Sequence, residues 1–349
     1  MPQPLLASAD LAACRDLLRG GSRSFFAASL LLPRRVHEPA TALYAFCRVA
    51  DDLIDAGDNP ASALAGLKAR LDDAYAGQPQ AIAADRALAA VVLRHAIPRA
   101  LLDALLEGFE WDAAGRRYNS LAELEAYAAR VAGTVGAMMA TLMGERSAEG
   151  VARACDLGVA MQLSNVARDV GEDARAGRLY LPQDWLRAAG IDPDAWLAHP
   201  SFDPALAEVV QRLLHRADQL YRRADPGIAA LPRACRPGIG VARHLYAEIG
   251  QQVARHSYNS VGRRAVVPPA RKLRLLARSL SAAARGPRPG SPSPALEAAH
   301  YLVEAVVTAS VSSRPAARLP LWEAFDDRVA WLCALFDQLD ERQMSRERP

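Results

Sequence analysis

The chain has 349 residues, 51% of them hydrophobic, and a formal net charge of +3. This apolar share is sufficient for a packed core, which excludes a disordered or fibrous protein. The near-balanced charge, with no evident basic run, disfavours a nucleic-acid partner.

Helical signals dominate the sequence, and no convincing alternation of apolar and polar residues predicts a strand. Ser120 and Glu123 form a capping-box pattern at the start of an apolar periodic run that continues to Met143. The sequence therefore predicts an all-α protein. Further helices are predicted around residues 40–56, 85–95, 99–111, 151–175, 205–224 and 236–255.

The C-terminal part changes in composition. Residues 285–294 are rich in Pro, Gly and Ser and read as a linker, which divides the chain into 1–284, 285–294 and a tail at 295–349. Two amphipathic helices are predicted in the tail, at 295–311 and 319–342. The second is expected to pack on the main domain rather than on a partner or membrane surface.

Cysteine usage and hydropathy favour a cytoplasmic protein. The five cysteines are dispersed without metal-site spacing, which indicates buried thiols in a reducing compartment. We find no signal-peptide pattern, and the longest apolar stretch, residues 131–143, is shorter than the ~20 residues that span a bilayer.

The first informative segment is LYAFCRVADD at residues 43–52, followed by Asp55. At about 100° per residue, Tyr44, Arg48, Asp51 and Asp55 lie within roughly 60° of one another on a largely apolar helix. Two carboxylates at i and i+4 repel each other, and burial increases that cost, so a divalent cation such as Mg²⁺ would offset it.

A second segment, NVARDVGED at residues 165–173, repeats this arrangement. Gln162, Asn165, Asp169 and Asp173 occupy an arc of about 80°, with Arg168 beside it. Facing aspartates invite divalent ions and neighbouring arginines require an anion, so a diphosphate fits both. Metal ions at a diphosphate leaving group and apolar walls around a carbocation predict ionisation of an allylic diphosphate.

Other interpretations remain open. The acidic stripes could belong to a non-catalytic helical scaffold that binds calcium or a basic partner, although such a scaffold would not need the aligned Tyr, Arg and Gln residues. A metal phosphohydrolase is disfavoured because no histidine joins the aspartates. The small residues Gly133, Gly136, Ala137 and Ala140 fit either a cavity for a prenyl chain or close helix packing.

The two stripes, together with SRSF at 22–25 and GRLYLP at 177–182, closely resemble the squalene and phytoene synthase family. The resemblance covers about residues 11–276 and is greatest to bacterial phytoene synthases. It implies a single-domain, isoprenoid-synthase-type helical bundle around a central cavity. Gly21 stands where some relatives have a histidine.

The resemblance also implies roles for individual residues. Metal ligands would be Asp51, Asp55, Asn165, Asp169 and Asp173. Tyr44 and Arg48 would join the aspartates in catalysis. Contacts to the diphosphate or the reacting allylic end would come from Ser22, Ser24, Tyr44, Arg48, Gln162, Arg168, Arg178, Tyr180 and Tyr246. Arg263 and Arg264 fit either a diphosphate contact or a solvated position.

The implied reaction condenses two geranylgeranyl diphosphates head to head through prephytoene diphosphate to phytoene, the first committed step of carotenoid biosynthesis. It would use Mg²⁺ or Mn²⁺ and no NADPH. The alternative is a squalene or dehydrosqualene synthase acting on two farnesyl diphosphates. Because substrates and product are lipid-soluble, we expect transient association with the inner membrane face, and contact with phytoene desaturase, the next carotenoid enzyme.

Overall fold

The computed structural model describes residues 6–21, 29–55, 60–284 and 293–311. Within these ranges the chain forms α-helices, one π-helical turn and one 3₁₀ turn, and contains no strand. The α-helices in chain order are α1 (Ser8–Gly21), α2 (Arg34–Asp55), α3 (Pro60–Tyr75), α4 (Ala83–His95), α5 (Arg99–Ala113), α6 (Leu121–Ala128), α7 (Thr134–Leu142), α8 (Ala148–Arg175), α9 (Gln183–Ala188), α10 (Pro193–Ala198), α11 (Pro204–Ala230), α12 (Arg236–Arg255), α13 (Pro269–Ala284) and α14 (His300–Val311).

Helix α8 is the centre of the bundle. It begins at Ser147, whose hydroxyl accepts a hydrogen bond from the amide of Gly150, and runs for 28 residues. Helices α7, α11, α12 and α14 pack around it. Its buried side chains include Val159, Leu163 and Ala167, so most of its surface faces protein and only a narrow stripe remains for polar side chains.

Helix α2 belongs to the other side of the bundle. It packs against α1, α3, α4 and α5, with Phe46 and Ala50 fully buried. Helix α7 contacts both α2 and α8 and thereby bridges the two helices that carry the acidic stripes.

The helix predicted from residue 122 to Met143 is interrupted. The Ser120 hydroxyl accepts from the amide of Glu123, as the capping-box pattern predicts, while the Glu123 carboxylate accepts from the amide of Asn119 instead of that of Ser120. A π-helical turn at Ala129–Gly133 then separates α6 from α7. Such a turn inserts one residue without disturbing the apolar pattern, so periodicity does not reveal it.

Small residues bring α8 into backbone contact with the π turn and α7. A Cβ added to Gly136 would lie 2.2 Å from the carbonyl oxygen of Ala154, and one added to Gly158 would lie 2.2 Å from that of Ala132. Ala137 and Ala140 are fully buried. Of the two interpretations of this strip, close helix packing is therefore the one that Gly136 serves.

Several helices were not predicted, and predicted ends differ by a few residues. The unpredicted helices are α1, α3, α9, α10 and α13, most of them short or dominated by Ala and Arg. Helix α2 begins six residues before the predicted start at residue 40, and α11 continues to Ala230 through Pro226. Helix α12 has the predicted bounds, Arg236–Arg255.

The first part of the tail packs into the main core. Residues predicted as one helix at 295–311 form a 3₁₀ turn at Glu297–Ala299 followed by α14. Leu302 and Val306 are fully buried among α5, α7 and α8. The tail helix predicted at 319–342 and most of the linker lie outside the described residues.

Buried thiols are found at Cys14, Cys155 and Cys235, each a free cysteine. Burial raises the pKa of Cys14 to about 11, which keeps this thiol protonated and unreactive. Across the described residues, every helix falls short of the length and apolarity needed to cross a membrane.

Candidate active site

The acidic stripe of α2 faces away from its buried residues. Phe46 and Ala50 turn into the core, whereas Arg48, Asp51 and Asp52 are about half exposed. The Arg48 guanidinium lies 2.6 Å from Asp52 and 3.4 Å from Asp51, so its nearer partner is Asp52. The predicted residues Ser22 and Ser24 and the side chain of Asp55 lie outside the described part of the chain.

The stripe of α8 is more enclosed. Arg168 donates from Nε to Oδ1 of Asp169 at 2.7 Å, so the residue expected to hold a diphosphate is paired with a carboxylate. Arg264 approaches from outside the helix, with Nε 3.0 Å from Asp169 and 3.4 Å from Glu172. Of the two interpretations for Arg264, the structure favours the one that places it at the site.

Asn165 carries an unsatisfied oxygen. Its amide nitrogen donates to Oε1 of Gln162 at 3.4 Å, while its Oδ1 is buried and has no hydrogen-bond partner. A buried acceptor without a donor is costly. One turn further along α8 is Asp169 and the next turn brings Asp173, so this oxygen belongs to a row of oxygen ligands.

An unpredicted residue, Asp112 at the end of α5, lies between the two stripes. It accepts a hydrogen bond from Tyr127 at 2.7 Å and one from Tyr180, also at 2.7 Å. The rings of Tyr118, Tyr127 and Tyr180 stack, with centroids 5.2 and 5.3 Å apart along the series. Tyr180, predicted as a substrate contact, is thus one of the groups that hold Asp112.

Mutual electrostatic effects show that α2, α5 and α8 converge. Burial raises the pKa of Asp112, and repulsion from Asp51 on α2 adds to the rise, opposed by both tyrosine hydroxyls and by Arg178. Burial and then repulsion from Asp169 raise the pKa of Asp173 to about 7, and Asp112 contributes to that rise. Asp112 therefore interacts with both stripes, and Arg178 offsets part of the shared negative charge.

A second convergence joins α2, α8 and α12 through Tyr246. Burial raises the pKa of Tyr44, and Tyr246 contributes to the rise while Arg48 opposes it. Tyr246 also acts on the guanidinium of Arg168. The structure therefore brings together the predicted residues Tyr44, Arg168 and Tyr246 although they come from three helices.

The oxygen groups of this site suit a divalent cation. Within the described ranges, no group of three His, Cys, Asp or Glu side chains is already gathered around one point. Asn165 nevertheless offers a buried oxygen without a donor, and Asp173 has a raised pKa because its negative charge is incompletely offset. Both are relieved by a hard cation that prefers oxygen ligands. A water-sized cavity of about 10 Å³ lies beside Asp173, lined by Val166, Val170 and residues 178–181.

Comparison with known proteins places these features in context. A family model described as squalene/phytoene synthase matches residues 18–271. A phytoene synthase of Rhodobacter capsulatus is 54% identical over 306 residues, covering 85% of this chain and 90% of that protein. One of Cereibacter sphaeroides is 47% identical over 354 residues, covering 99% and 98% respectively.

The fold is also similar to a solved structure. The crystal structure of a dehydrosqualene synthase in complex with a ligand is 33% identical, with a TM-score of 0.73. The match covers 78% of this chain and 96% of that one.

Fold, site and relatives together define an all-α prenyltransferase, a class of enzyme that generally uses divalent metal ions. The chain belongs to the squalene/phytoene synthase family. The predicted fold class and the predicted family are both confirmed.

Proposed function

We propose that this protein is a phytoene synthase that joins two geranylgeranyl diphosphates head to head through prephytoene diphosphate. The proposal depends on one observation above all: the acidic stripes of α2 and α8 converge on Asp112, which interacts with Asp51 and Asp173. The relatives that are 54% and 47% identical are phytoene synthases, which supports the C20 substrate over the C15 one.

The proposed metal ligands are Asp51, Asp55, Asn165, Asp169 and Asp173, with Mg²⁺ or Mn²⁺ as the ion. Bound divalent ions would neutralise the negative charge that develops on a diphosphate as its carbon–oxygen bond breaks. The chain's own part is to present oxygen ligands from two helices. Asn165 supplies a neutral one, which limits the repulsion among the carboxylates.

Diphosphate binding is assigned to cations and hydroxyls around these carboxylates. Arg168, half-enclosed and already oriented by Asp169, keeps a planar fork at the site, while Arg178 lies close enough to Asp173 to lower its pKa. The complete proposed set is Ser22, Ser24, Tyr44, Arg48, Gln162, Arg168, Arg178, Tyr180 and Tyr246, of which Tyr44 and Arg48 are also assigned to catalysis.

Exclusion of water is assigned to the aromatic cluster at Asp112. The reaction passes through allylic cations, which water would quench. The tyrosine hydroxyls bound to Asp112 hold residues 177–182 against α5, and their stacked rings present apolar faces beside the carboxylates. Phytoene formation then ends in loss of a proton and needs no NADPH.

We also propose that the protein acts in the cytoplasm at the inner membrane face, where phytoene could be passed to phytoene desaturase. Residues 1–284 would form the catalytic domain, 285–294 the linker and 295–349 the tail. The lipid solubility of C20 substrates and C40 product supports the membrane location.

The test is to incubate purified protein and Mg²⁺ with geranylgeranyl or farnesyl diphosphate, without NADPH, and to identify the extracted lipids. We expect phytoene from the C20 substrate. Dehydrosqualene from the C15 substrate, with no phytoene, would move the assignment to that activity. Asp169→Asn should lose turnover, whereas Asp194→Asn, at a side chain that is 81% exposed, should retain it.

A further inference from the structure

The balanced overall charge conceals one strongly basic segment. Between Glu248 and Glu297 the sequence contains no Asp or Glu. Cations concentrate in residues 263–278 of this stretch, at Arg263, Arg264, Arg271, Lys272, Arg274 and Arg278. An acid-free run with this density of arginine differs from the rest of the chain, where both signs are interspersed.

The structure folds this segment into a loop and the amphipathic helix α13. Leu275 and Leu276 face inward and pack with Leu245 in a small hydrophobic cluster of their own. The opposite face of the helix is exposed and carries Leu273 and Arg274. Helix α13 is therefore a surface helix with an apolar inner side and a mixed apolar and basic outer side.

Two of the large exposed hydrophobic residues among those described belong to this segment. Val266 is 54% exposed and Leu273 is 36% exposed. Arginines flank both residues in the sequence. Exposed aliphatic side chains between arginines are typical of a helix that lies in the interfacial layer of a bilayer.

Carboxylates contact this segment only on its inner side, within the described structure. Glu248 is buried and paired with Arg271, and Arg264 pairs with Asp169 and Glu172. These pairs anchor the segment to the body of the protein. They also place its loop beside the α8 stripe, so the basic surface borders the candidate active site.

We propose that residues 263–278 dock the protein on a bilayer that contains anionic lipid. Charge complementarity supplies the attraction, and Val266 and Leu273 insert between headgroups. A nucleic acid would use the arginines but not the exposed aliphatic side chains. The inference builds on the proposed function only in that lipid-soluble substrates would enter from such a surface, near Asp169.

The experiment is co-sedimentation of the full-length protein with vesicles of phosphatidylcholine alone or with about one-third phosphatidylglycerol, without substrate. The variant Leu273→Ser/Arg274→Glu changes the exposed face of α13. The matched control is Leu93→Ser/Arg94→Glu on α4, where Leu93 is 56% exposed and also precedes an exposed arginine. Circular dichroism and thermal unfolding establish that both variants fold.

We expect the wild type and the α4 control to bind anionic vesicles and to release them at high salt. The α13 variant should bind at least about tenfold more weakly, because it loses one cation, gains an anion and loses an apolar contact. Equal binding by the α13 variant, equal binding to neutral vesicles, or tighter binding to duplex DNA than to vesicles would each overturn the proposal. Turnover of detergent-dispersed substrate, measured separately, tests the proposed function without involving the vesicle surface.

Discussion

The hydroxyl of Tyr180 donates a 2.7 Å hydrogen bond to Oδ1 of Asp112, although 68 residues separate them. This bond attaches the segment at 177–182 to the end of α5. Tyr127 occupies the other oxygen of the same carboxylate. Asp112 is therefore a positioning residue for two tyrosines that border the candidate active site.

Removing the Tyr180 hydroxyl should weaken both folding and turnover. Tyr180→Phe leaves a buried carboxylate with one donor fewer, which costs about 1.5–3 kcal/mol of unfolding free energy. Displacement of residues 177–182 should lower kcat at least about tenfold. The control is Tyr75→Phe, which removes a 3.0 Å bond to the carbonyl of Ile97 and should lower stability alone. Unchanged kcat in Tyr180→Phe would contradict the positioning role.

Asp173 should make the metal-free protein less stable as the pH rises. Because its pKa is raised to about 7 in the folded protein, the unfolded chain loses this proton first, and stability falls between about pH 4 and pH 7. Asp173→Asn should abolish that slope and stabilise the chelator-treated protein at pH 8 by up to about 4 kcal/mol. Denaturant unfolding at several pH values measures this.

The same substitution should remove the response to metal. In wild-type protein, added Mg²⁺ should raise the unfolding temperature, since an ion that binds only the folded state stabilises it. Asp173→Asn should show a smaller rise and no turnover, while Asp194→Asn should behave as wild type. A full metal response in Asp173→Asn would exclude this residue as a ligand.

The described part of the tail should contribute to global stability. Leu302 is fully buried and lies against Gly133 of the π turn. Leu302→Ala should therefore cost about 2–5 kcal/mol in denaturant unfolding. Glu304 is exposed on the same helix, and Glu304→Ala should stay within about 0.5 kcal/mol of wild type. Equal stability of the two variants would mean that α14 is not part of the cooperative core.

A methyl group at Gly136 should force α7 and α8 apart. The added Cβ would meet a backbone carbonyl, which cannot rotate away, so Gly136→Ala should cost about 1–3 kcal/mol or more. Gly66 in α3 has no atom within 4 Å of an added Cβ, and Gly66→Ala should gain up to about 1 kcal/mol. Thermal unfolding of the pair measures the contrast, and a neutral Gly136→Ala would contradict the close packing.

The sequence predicted what local periodicity encodes. Both acidic stripes could be recognised because residues such as Asp169 and Asp173 recur at helical spacing on otherwise apolar helices. Helix α12 was predicted to the residue for the same reason. The π turn at Ala129–Gly133 was not, since it leaves the apolar pattern intact.

Tertiary partnerships could not be predicted in this way. Asp112 looked like one more polar residue at the end of a helix, and its partners are 15 and 68 residues away in the chain. Arg264 was ambiguous because its contact with Asp169 spans 95 residues. Spacing reveals which side chains share a helix face, whereas only the fold reveals which faces meet.

Burial of the tail's start has a similar origin. Arg153 is 3% exposed and donates to the carbonyls of Ser293 and Pro294, and it also pairs with the fully buried Asp156. Two charged residues on α8 thus hold the start of a segment 140 residues away. A Pro- and Ser-rich sequence gives no sign of such an attachment.

The reciprocal contact between Gly136 and Ala154 and between Gly158 and Ala132 has a consequence for protein engineering. Libraries that aim to change product chain length will accept few replacements along this seam, because any larger residue pushes two backbones apart. Diversity is better directed to side chains elsewhere on the same helices, where a change in volume alters the pocket wall and leaves the helix spacing intact.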